Sequence, residues 1–389
     1  MIAKLKIQLK AALIAFVATL PAQAFDTTAT SAIVLDIGTG QTLMEKNADM
    51  ALPPASMSKL MTLNMVFEAI EDGRLGLDQV VPVSPHAASY GGSSMFLTTQ
   101  DRVTVEDLIR GVVVLSGNDA STVLAEAVSP DGTERGFAQM MTERAAQLGM
   151  TNSTFVNANG WPAPAHRMSM RDLAILAERL ISEFPQYYGY FAETEFAFDG
   201  RVPSNRFNRN PLLKMSIGAD GLKTGHTVEA GYGLVGSAEQ GTRRIVFVMS
   251  GMDSEQIRRD EAERLTNWAF RQFAARKLAE EGVILTKADV WMGEAGQVGM
   301  APTEDINILI PVLAKDDLEA KINYKGPLEA PIKAGEKIAE LIVSVPGLDD
   351  STYPLVATED VPKGGFVVRV RTSALTLLRQ LTGQAAAYF

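Results

Sequence analysis

The sequence has no cysteine, few histidines and fewer basic than acidic residues. The lack of cysteine excludes disulfides, thiolate metal sites and a cysteine nucleophile. With 46 acidic against 36 basic residues the formal net charge is −10, which disfavours nucleic acid as a partner because phosphate contacts need clustered lysine and arginine. The histidines are His86, His166 and His226. They lack the paired spacing of a metal motif such as H-x-x-x-H, so we expect no metal ion and no cofactor.

Residues 1–24 have the three parts of a secretion signal peptide. A start with three lysines precedes an uncharged, mostly apolar stretch at residues 11–20, and Ala-Gln-Ala at residues 22–24 fits the small-x-small cleavage pattern. The apolar stretch is short for a membrane span, and a retained N-terminal anchor stays open as the alternative. We therefore expect an exported protein of the periplasm, cell wall or medium, with the periplasm favoured.

The pattern of residues 25–278 predicts one α/β domain. Two short strand patterns occur before residue 45, and a block of helical patterns follows them. Three consecutive strand patterns then occupy residues 221–227, 232–237 and 244–250, and a last helical pattern follows. This order predicts an antiparallel sheet with flanking helices.

The pattern changes again after about residue 280. Apolar and polar residues alternate with period two at residues 318–324 and 366–370, which predicts a small all-β domain over residues 279–371. Residues 372–389 predict a short amphipathic helix. Such a helix either makes a peripheral membrane contact or packs on the β domain, and the sequence leaves both open.

The first motif with chemical potential is Ser56-Met57-Ser58-Lys59, at the start of a predicted helix. Positions three apart share a helix face, so the Ser56 hydroxyl and the Lys59 amine can meet. A backbone N–H in the first helical turn has no intrahelical acceptor and can stabilise an oxyanion during acyl transfer. The alternative is that Ser56 and Lys59 are ordinary surface residues whose spacing has no catalytic meaning.

Two further motifs follow. Ser116-Gly117-Asn118 interrupts a helical pattern. It can point side chains inward from a loop, or it can simply mark the end of one helix. Residues 223–227, Lys-Thr-Gly-His-Thr, lie on a predicted strand on which Gly225 leaves room for a substrate backbone. The alternative for this stretch is an exposed edge strand protected by its lysine.

The motifs S-x-x-K, S-x-N and K-T-G thus occur in this order at residues 56, 116 and 223. This arrangement resembles that of the penicillin-binding proteins and serine β-lactamases. The segments PPASMSKLMT, VEDLIRGVVVLSGNDAS and GADGLKTGHTVEAGYGLVGSA are similar to those of low-molecular-weight D-alanyl-D-alanine carboxypeptidases. The resemblance implies an α/β catalytic domain of the penicillin-binding/serine β-lactamase type at residues 25–278 and a small all-β domain after it.

For the reaction, the resemblance implies removal of the terminal D-alanine from peptidoglycan pentapeptides. Ser56 would form the acyl-enzyme, Lys59 would act as general base, and Ser116 would relay a proton to the leaving amine. The implied partners are stem peptides that end in D-Ala-D-Ala and β-lactam inhibitors. Lys223 would supply the positive field that lowers the pKa of Lys59, and His226 would give its backbone N–H to the oxyanion hole.

The remaining site residues implied by the resemblance bind the substrate. Asn118 would hold an amide, and the terminal carboxylate would be bound by Thr224, Thr227 and Arg209. Further residues at corresponding positions are the rim serines Ser93 and Ser94 and one of Arg258 and Arg259, between which the sequence does not choose. Asn159 occupies a position where many relatives have a histidine, whose contribution is missing here or moved to His166.

Three other functions stay open. A β-lactamase of class A uses a glutamate in an E-x-x-L-N segment, which is absent between residues 118 and 223, and a separate β domain has no place in a compact lactamase. A D,D-endopeptidase would share every motif. A non-catalytic wall-binding homologue would not need the complete set of polar residues.

Overall fold

The computed structural model describes residues 25–312 and 318–366 of the chain. Three predicted segments lie outside the described residues: the signal peptide at residues 1–24, residues 367–370 of the last strand, and the C-terminal helix at residues 372–389. Within the described parts, no helix has both the length and the apolar character that crossing a membrane requires.

The described residues form helices, strands and short 3₁₀ turns. The α-helices are α1 (Lys59–Glu71), α2 (Pro85–Ala88), α3 (Val105–Val113), α4 (Asn118–Val128), α5 (Glu134–Gln147), α6 (Met170–Ser182), α7 (Pro185–Tyr188) and α8 (Glu255–Arg271). The strands are β1 (Ser31–Asp36), β2 (Thr42–Lys46), β3 (Val80–Pro82), β4 (Arg102–Thr104), β5 (Ala219–Thr227), β6 (Gly231–Gln240), β7 (Arg243–Met252), β8 (Phe273–Ala279), β9 (Thr286–Trp291), β10 (Gln297–Pro302), β11 (Ile306–Pro311), β12 (Glu319–Asn323), β13 (Leu328–Glu329), β14 (Lys337–Ser344) and β15 (Ser351–Ala357). The 3₁₀ turns are Ala55–Ser58, Gly189–Ala192 and Pro211–Lys214.

A five-stranded antiparallel sheet has the strand order β2-β1-β7-β6-β5. The two early strands and the three consecutive later strands predicted from the sequence are therefore confirmed. Helices α1 and α3 to α6 cover one face of the sheet, and α8 packs on the other. This arrangement leaves β5, which contains the Lys-Thr-Gly motif, at the edge of the sheet.

Helix α1 lies inside the helical layer. Ten of its 13 residues are buried, and Lys59, its first residue, is one of them. Side-chain caps fix where neighbouring helices begin, because Thr104 Oγ1 accepts a hydrogen bond from the Asp107 N–H (3.2 Å) and Ser169 Oγ accepts one from the Asp172 N–H (3.1 Å). The sequence at residues 104–107, Thr-Val-Glu-Asp, and at residues 169–172, Ser-Met-Arg-Asp, has the pattern of a capping box, so both helix starts are predictable from the sequence.

The predicted interruption at Ser116-Gly117-Asn118 is confirmed: Ser116 and Gly117 lie in the loop between α3 and α4, and Asn118 is the first residue of α4. Ser116 has φ +60°, in the left-handed region that few non-glycine residues adopt. The Gly117 N–H donates to the Gly111 carbonyl (3.0 Å), which closes the end of α3. The chain therefore turns sharply here, and the Ser116 side chain is buried.

The part of the chain after α8 is built from strands. Six of them form a second sheet with the order β12-β14-β15-β10-β9-β13, and β8 pairs with β11. The strand predicted at residues 318–324 is confirmed as β12, and the apolar side chains of this part form a core of their own. The predicted boundary between residues 278 and 279 falls inside the β8–β11 ladder.

Candidate active site

Ser56 lies in the 3₁₀ turn directly before α1, and two glycines allow other segments to close around this turn. Gly160 has φ +81°, and a Cβ there would lie 2.0 Å from the Ala55 carbonyl oxygen. A Cβ on Gly225 would lie 2.9 Å from the Pro54 carbonyl oxygen. The sequence assigns the space at Gly225 to a substrate, and the structure corrects this, because the turn that contains Ser56 fills it.

Lys59 is fully buried, and its amine contacts three oxygens. Its Nζ lies 2.8 Å from Ser56 Oγ and 2.8 Å from Asn118 Oδ1, and it also donates to the backbone carbonyl of Asn159. A neutral amine has two N–H groups and one lone pair. It can therefore donate to the two carbonyl oxygens while its lone pair faces the Ser56 hydroxyl.

The environment of Lys59 favours this neutral form. Burial and, to a smaller extent, the positive charge of Arg209 lower the pKa of Lys59 to about 7. The carboxylates of Asp119 and Glu134 act in the opposite direction. The resemblance assigns the positive field to Lys223. In the structure Arg209 lowers the pKa of Lys59, and Lys59 and Lys223 also repel each other when both are charged.

Lys223 and Ser116 form a second amine–hydroxyl pair in the same cleft. Lys223 Nζ donates to Ser116 Oγ (2.8 Å) and to the Thr224 carbonyl (3.3 Å), and its side chain is buried. Burial holds the pKa of Lys223 well below its ordinary value, and Lys59 and Arg209 lower it further. The loop between α3 and α4 and the edge strand β5 thus meet at this pair.

Asn118 joins Lys59 to the rim of the cleft. Its Oδ1 accepts from Lys59, and its Nδ2 donates to the Gly91 carbonyl (2.8 Å). Its backbone N–H donates to the Ser93 carbonyl (2.8 Å). The side-chain amide expected to hold a substrate therefore also holds the loop at residues 91–93.

The other residues of the Lys-Thr-Gly-His-Thr stretch differ in exposure. Thr224 is buried, whereas His226 is exposed and stacks on the Tyr232 ring at 3.9 Å between centroids. Thr227 Oγ1 accepts from the Ala230 N–H (3.0 Å), which closes the turn between β5 and β6. His226 and Thr227 therefore lie at the end of the edge strand, beside the cleft.

The three arginines named from the sequence differ in their exposure and in their contacts. Arg209 contacts the Ser93 hydroxyl at the rim. Arg258 is 3% exposed, lies over the Tyr232 ring and pairs with Glu255 at 3.1 Å. Arg259 is exposed and pairs with Asp260. The structure therefore directs Arg258 inward and Arg259 toward solvent.

Two acidic residues that the sequence did not single out organise the site. Asp119 accepts from Ser94 Oγ (2.6 Å) and from the N–H groups of Met95 and Leu97 (3.0 Å each), so it holds the rim segment in place. Glu134 is buried beside Asn159. Both acids lie in the first turn of a helix, where acidic residues are common because they interact favourably with the helix dipole. No pattern in the sequence therefore distinguished them.

The histidines do not form a metal site in the described residues, which contain no group of three or more His, Asp or Glu arranged to hold a metal ion. His86 lies on the surface, 2.8 Å from Glu134. Burial lowers the pKa of His166 to about 4, and its ring packs edge-on against Phe155. His166 Nδ1 accepts from the Val156 N–H, so in the described residues this ring supports the loop rather than Ser56.

Comparisons with known proteins agree with this geometry. The family model described as D-alanyl-D-alanine carboxypeptidase matches residues 17–254, and the model of the penicillin-binding protein 5 C-terminal domain matches residues 273–363. The D-alanyl-D-alanine carboxypeptidase DacC of Escherichia coli (strain K12) is 36% identical over 365 residues, which cover 92% of this chain and 90% of that protein.

Solved structures give the same result. The crystal structure of penicillin binding protein 5 from Haemophilus influenzae has a TM-score of 0.78 at 32% identity and covers 87% of this chain and 98% of that one. Penicillin-binding protein D2 from Listeria monocytogenes in its ampicillin-bound form has a TM-score of 0.57 at 31% identity and covers 63% of this chain and 98% of that one. These matches confirm the fold class predicted from the sequence, and the chain belongs to the D-alanyl-D-alanine carboxypeptidase family of serine peptidases.

Proposed function

We propose that this protein is a serine-type D-Ala-D-Ala carboxypeptidase that removes the terminal D-alanine from peptidoglycan stem pentapeptides. The observation that carries the proposal is the contact of 2.8 Å between the Lys59 amine and the Ser56 hydroxyl, at a lysine whose pKa is lowered to about 7. A serine hydroxyl is a weak nucleophile without a base, and a lysine near neutrality can be that base.

In the acylation step Ser56 Oγ attacks the carbonyl carbon of the penultimate D-alanine while Lys59 Nζ takes the hydroxyl proton. The backbone N–H groups of Ser56 and His226 are proposed to hold the oxyanion of the tetrahedral intermediate. Two donors placed where negative charge develops stabilise such an intermediate strongly in a site that excludes water. Collapse of the intermediate breaks the peptide bond and leaves Ser56 acylated.

The leaving amine of D-alanine needs a proton. Ser116 is proposed to relay to it the proton that Lys59 took from Ser56, which returns Lys59 to its neutral form, while the hydrogen bond of 2.8 Å from Lys223 holds the Ser116 hydroxyl in place. Water then attacks the acyl-enzyme while Lys59 takes a proton from the water, and Lys59 gives this proton to Ser56 Oγ as the acyl bond breaks. The sum of the two steps is hydrolysis of one peptide bond.

Substrate binding is proposed to use the cationic end of the cleft. Arg209, with Arg258 behind it, gives this end a positive field suited to a terminal carboxylate. Thr224 and Thr227 on β5 are proposed to add hydroxyl donors, and Asn118 to bind an amide of the peptide. The same carboxylate and amide groups occur in β-lactams, and ampicillin is bound by the Listeria relative named above.

The substrate lies outside the cytoplasm, so export follows from the proposed function. We propose that residues 1–24 are the export signal and that the protein works in the periplasm, with a peripheral contact of residues 372–389 to the inner membrane as the alternative to a freely diffusing form. Sedimentation with anionic liposomes, with and without residues 372–389, tests this contact. Equal pelleting of both forms would remove the anchor.

Release of D-alanine from a diacyl-Lys-D-Ala-D-Ala peptide tests the activity. We expect the unaltered protein to release D-alanine and the Ser56→Ala variant to release none while keeping its fold by circular dichroism. Release by the variant would show that Ser56 is not the nucleophile. Rapid turnover of benzylpenicillin without peptide hydrolysis would favour a β-lactamase instead, and cleavage of cross-linked dimers would add an endopeptidase activity.

A further inference from the structure

Glu134 is a buried carboxylate that none of the proposed reaction steps uses. Its residue is 6% exposed, and its outer oxygen, Oε2, accepts a hydrogen bond from the Tyr90 hydroxyl (2.7 Å) and lies 2.8 Å from His86 Nε2. Tyr90 and His86 belong to the segment before the rim loop. The outer oxygen therefore faces the protein surface and ties Glu134 to that segment.

The inner oxygen faces the active site. Glu134 Oε1 accepts from the Ala158 N–H (2.9 Å), from Asn159 Nδ2 (3.2 Å) and from Thr122 Oγ1 (3.2 Å). A carboxylate that accepts this number of hydrogen bonds is held in one position, and the hydrogen bonds offset the free-energy cost of burying its charge. Glu134 thus holds residues 158 and 159 by accepting one hydrogen bond from a backbone N–H and one from a side-chain amide.

The opposite side of these two residues contacts α1. The Ala158 carbonyl accepts from Thr62 Oγ1 (2.5 Å), and the Asn159 carbonyl accepts from Lys59 Nζ. Residues 158 and 159 are therefore held between the Glu134 carboxylate and one face of α1, and these hydrogen bonds together form a clamp. Their N–H donors bind Glu134, and their carbonyl oxygens bind the residues of α1.

We propose that Glu134 is a positioning residue for the general base: by fixing residues 158 and 159 it places the Asn159 carbonyl where this oxygen orients the Lys59 amine toward Ser56. The inference rests on the proposed function, since it needs Lys59 to act as the base. Loss of the clamp would let the Asn159 carbonyl move, and an amine that is misplaced by a fraction of an ångström transfers protons more slowly.

Glu134 also acts on Lys59 through its charge. The charged groups that shift the pKa of Lys59 are Arg209, which lowers it, and Asp119 and Glu134, which raise it. Two further titratable groups, Lys223 and His166, lie close enough that the charge of Lys59 lowers their pKa values. Removal of the negative charge of Glu134 therefore lowers the pKa of Lys59. This direction distinguishes the proposed role from a purely structural one, because a loss of packing alone does not move a titration.

Glu134→Gln tests the proposal, since glutamine keeps the volume and one acceptor but removes the charge and the second acceptor. The measurement is the second-order rate constant of acylation by benzylpenicillin as a function of pH. We expect the alkaline plateau to fall roughly tenfold because the clamp is weakened. We also expect the acid limb to move to lower pH by about half a unit.

Glu126→Gln is the matched control. Glu126 is a half-buried glutamate on α4 that accepts from Ser84 Oγ and makes no hydrogen bond to residue 158 or 159. It loses the same charge at the same side of the helical layer. We expect its plateau and acid limb to equal those of the unaltered protein.

A folded Glu134→Gln variant with an unchanged plateau and an unchanged acid limb would overturn the inference. If this variant does not fold, Asn159→Ala gives the second test, because it removes one of the two donors that Glu134 grips and keeps the charge. Its plateau should fall while its acid limb stays in place, and an unchanged plateau would overturn the inference. Failure of the unaltered protein to be labelled at Ser56 would count against the proposed function instead.

Discussion

Lys223 Nζ donates a hydrogen bond of 2.8 Å to Ser116 Oγ, although the two residues are 107 positions apart in the chain. The contact exists because the left-handed turn at Ser116 points its side chain toward β5, the edge strand that contains Lys223. It places a second amine–hydroxyl pair in the same cleft as Lys59 and Ser56. In the proposed mechanism one pair serves the attack and the other serves the leaving group.

The first prediction concerns this second pair. Ser116→Ala removes the only hydroxyl in the described residues to which Lys223 Nζ donates, and acylation by benzylpenicillin should fall roughly hundredfold because proton transfer to the leaving nitrogen is lost. The matched control is Ser121→Ala, a buried serine on α4 whose hydroxyl donates to the Gly117 carbonyl. Equal acylation rates in Ser116→Ala and the unaltered protein would contradict the assigned role.

The second prediction concerns pH. Lys59 is a base only when neutral, so acylation should rise with pH through about 7, and Arg209 is the cation that helps to keep it neutral. In Arg209→Gln the ammonium form is no longer repelled, so the pKa of Lys59 rises and the acid limb moves to higher pH. Arg259→Gln loses the same charge at an exposed position and should leave the limb in place. An acid limb that does not move in Arg209→Gln would show that this charge does not control Lys59.

The third prediction concerns the contact between β5 and the turn that contains Ser56. In Gly225→Ala the new methyl group would lie 2.9 Å from the Pro54 carbonyl oxygen and 3.0 Å from Met57 Cγ, so the strand and the turn must move apart. We expect acylation to fall roughly tenfold and the free energy of unfolding to fall by about 1–3 kcal/mol.

Gly189→Ala is the control for that substitution, because a Cβ there meets no atom within 4 Å and its φ of −54° suits alanine. Urea unfolding followed by circular dichroism measures stability, and penicillin labelling measures acylation. A Gly225→Ala protein that keeps both values would show that the close approach at Gly225 is not needed.

The fourth prediction concerns Asp119. Its carboxylate is the acceptor for the Ser94 hydroxyl and for two backbone N–H groups of the rim, all buried. Asp119→Ala leaves these donors without their acceptor and should lower the free energy of unfolding by roughly 2–4 kcal/mol. Asp72→Ala, at an exposed surface pair with Arg74, should change it by less than about 0.5 kcal/mol. Similar losses in the two variants would contradict the role of Asp119 in holding the rim.

The sequence predicted the elements whose signals are local. The five strands of the first sheet follow from short strand patterns separated by turn residues, and the starts of α3 and α6 follow from the caps Thr104 and Ser169. The three motifs were found because their residue types are unusual in combination. That they meet in one cleft depended on the family resemblance, since no local pattern encodes a contact between residues 116 and 223.

What the sequence did not predict depends on long-range contacts. Glu134 and Asp119 are ordinary first-turn acids until the fold brings other segments to them. The positive field at Lys59 was assigned to Lys223 alone, whereas Arg209 also acts there, because relative distances in the cleft cannot be derived from residue order. The space at Gly225 was interpreted as a substrate site for the same reason.

The most direct test of the account is the mass of the intact protein after incubation with benzylpenicillin, followed by mapping of the modified peptide. The account predicts one penicilloyl group on the peptide that contains Ser56, at a rate that rises with pH through about 7, and none in the Ser56→Ala variant. An adduct on any other residue, or the same adduct in that variant, would contradict it.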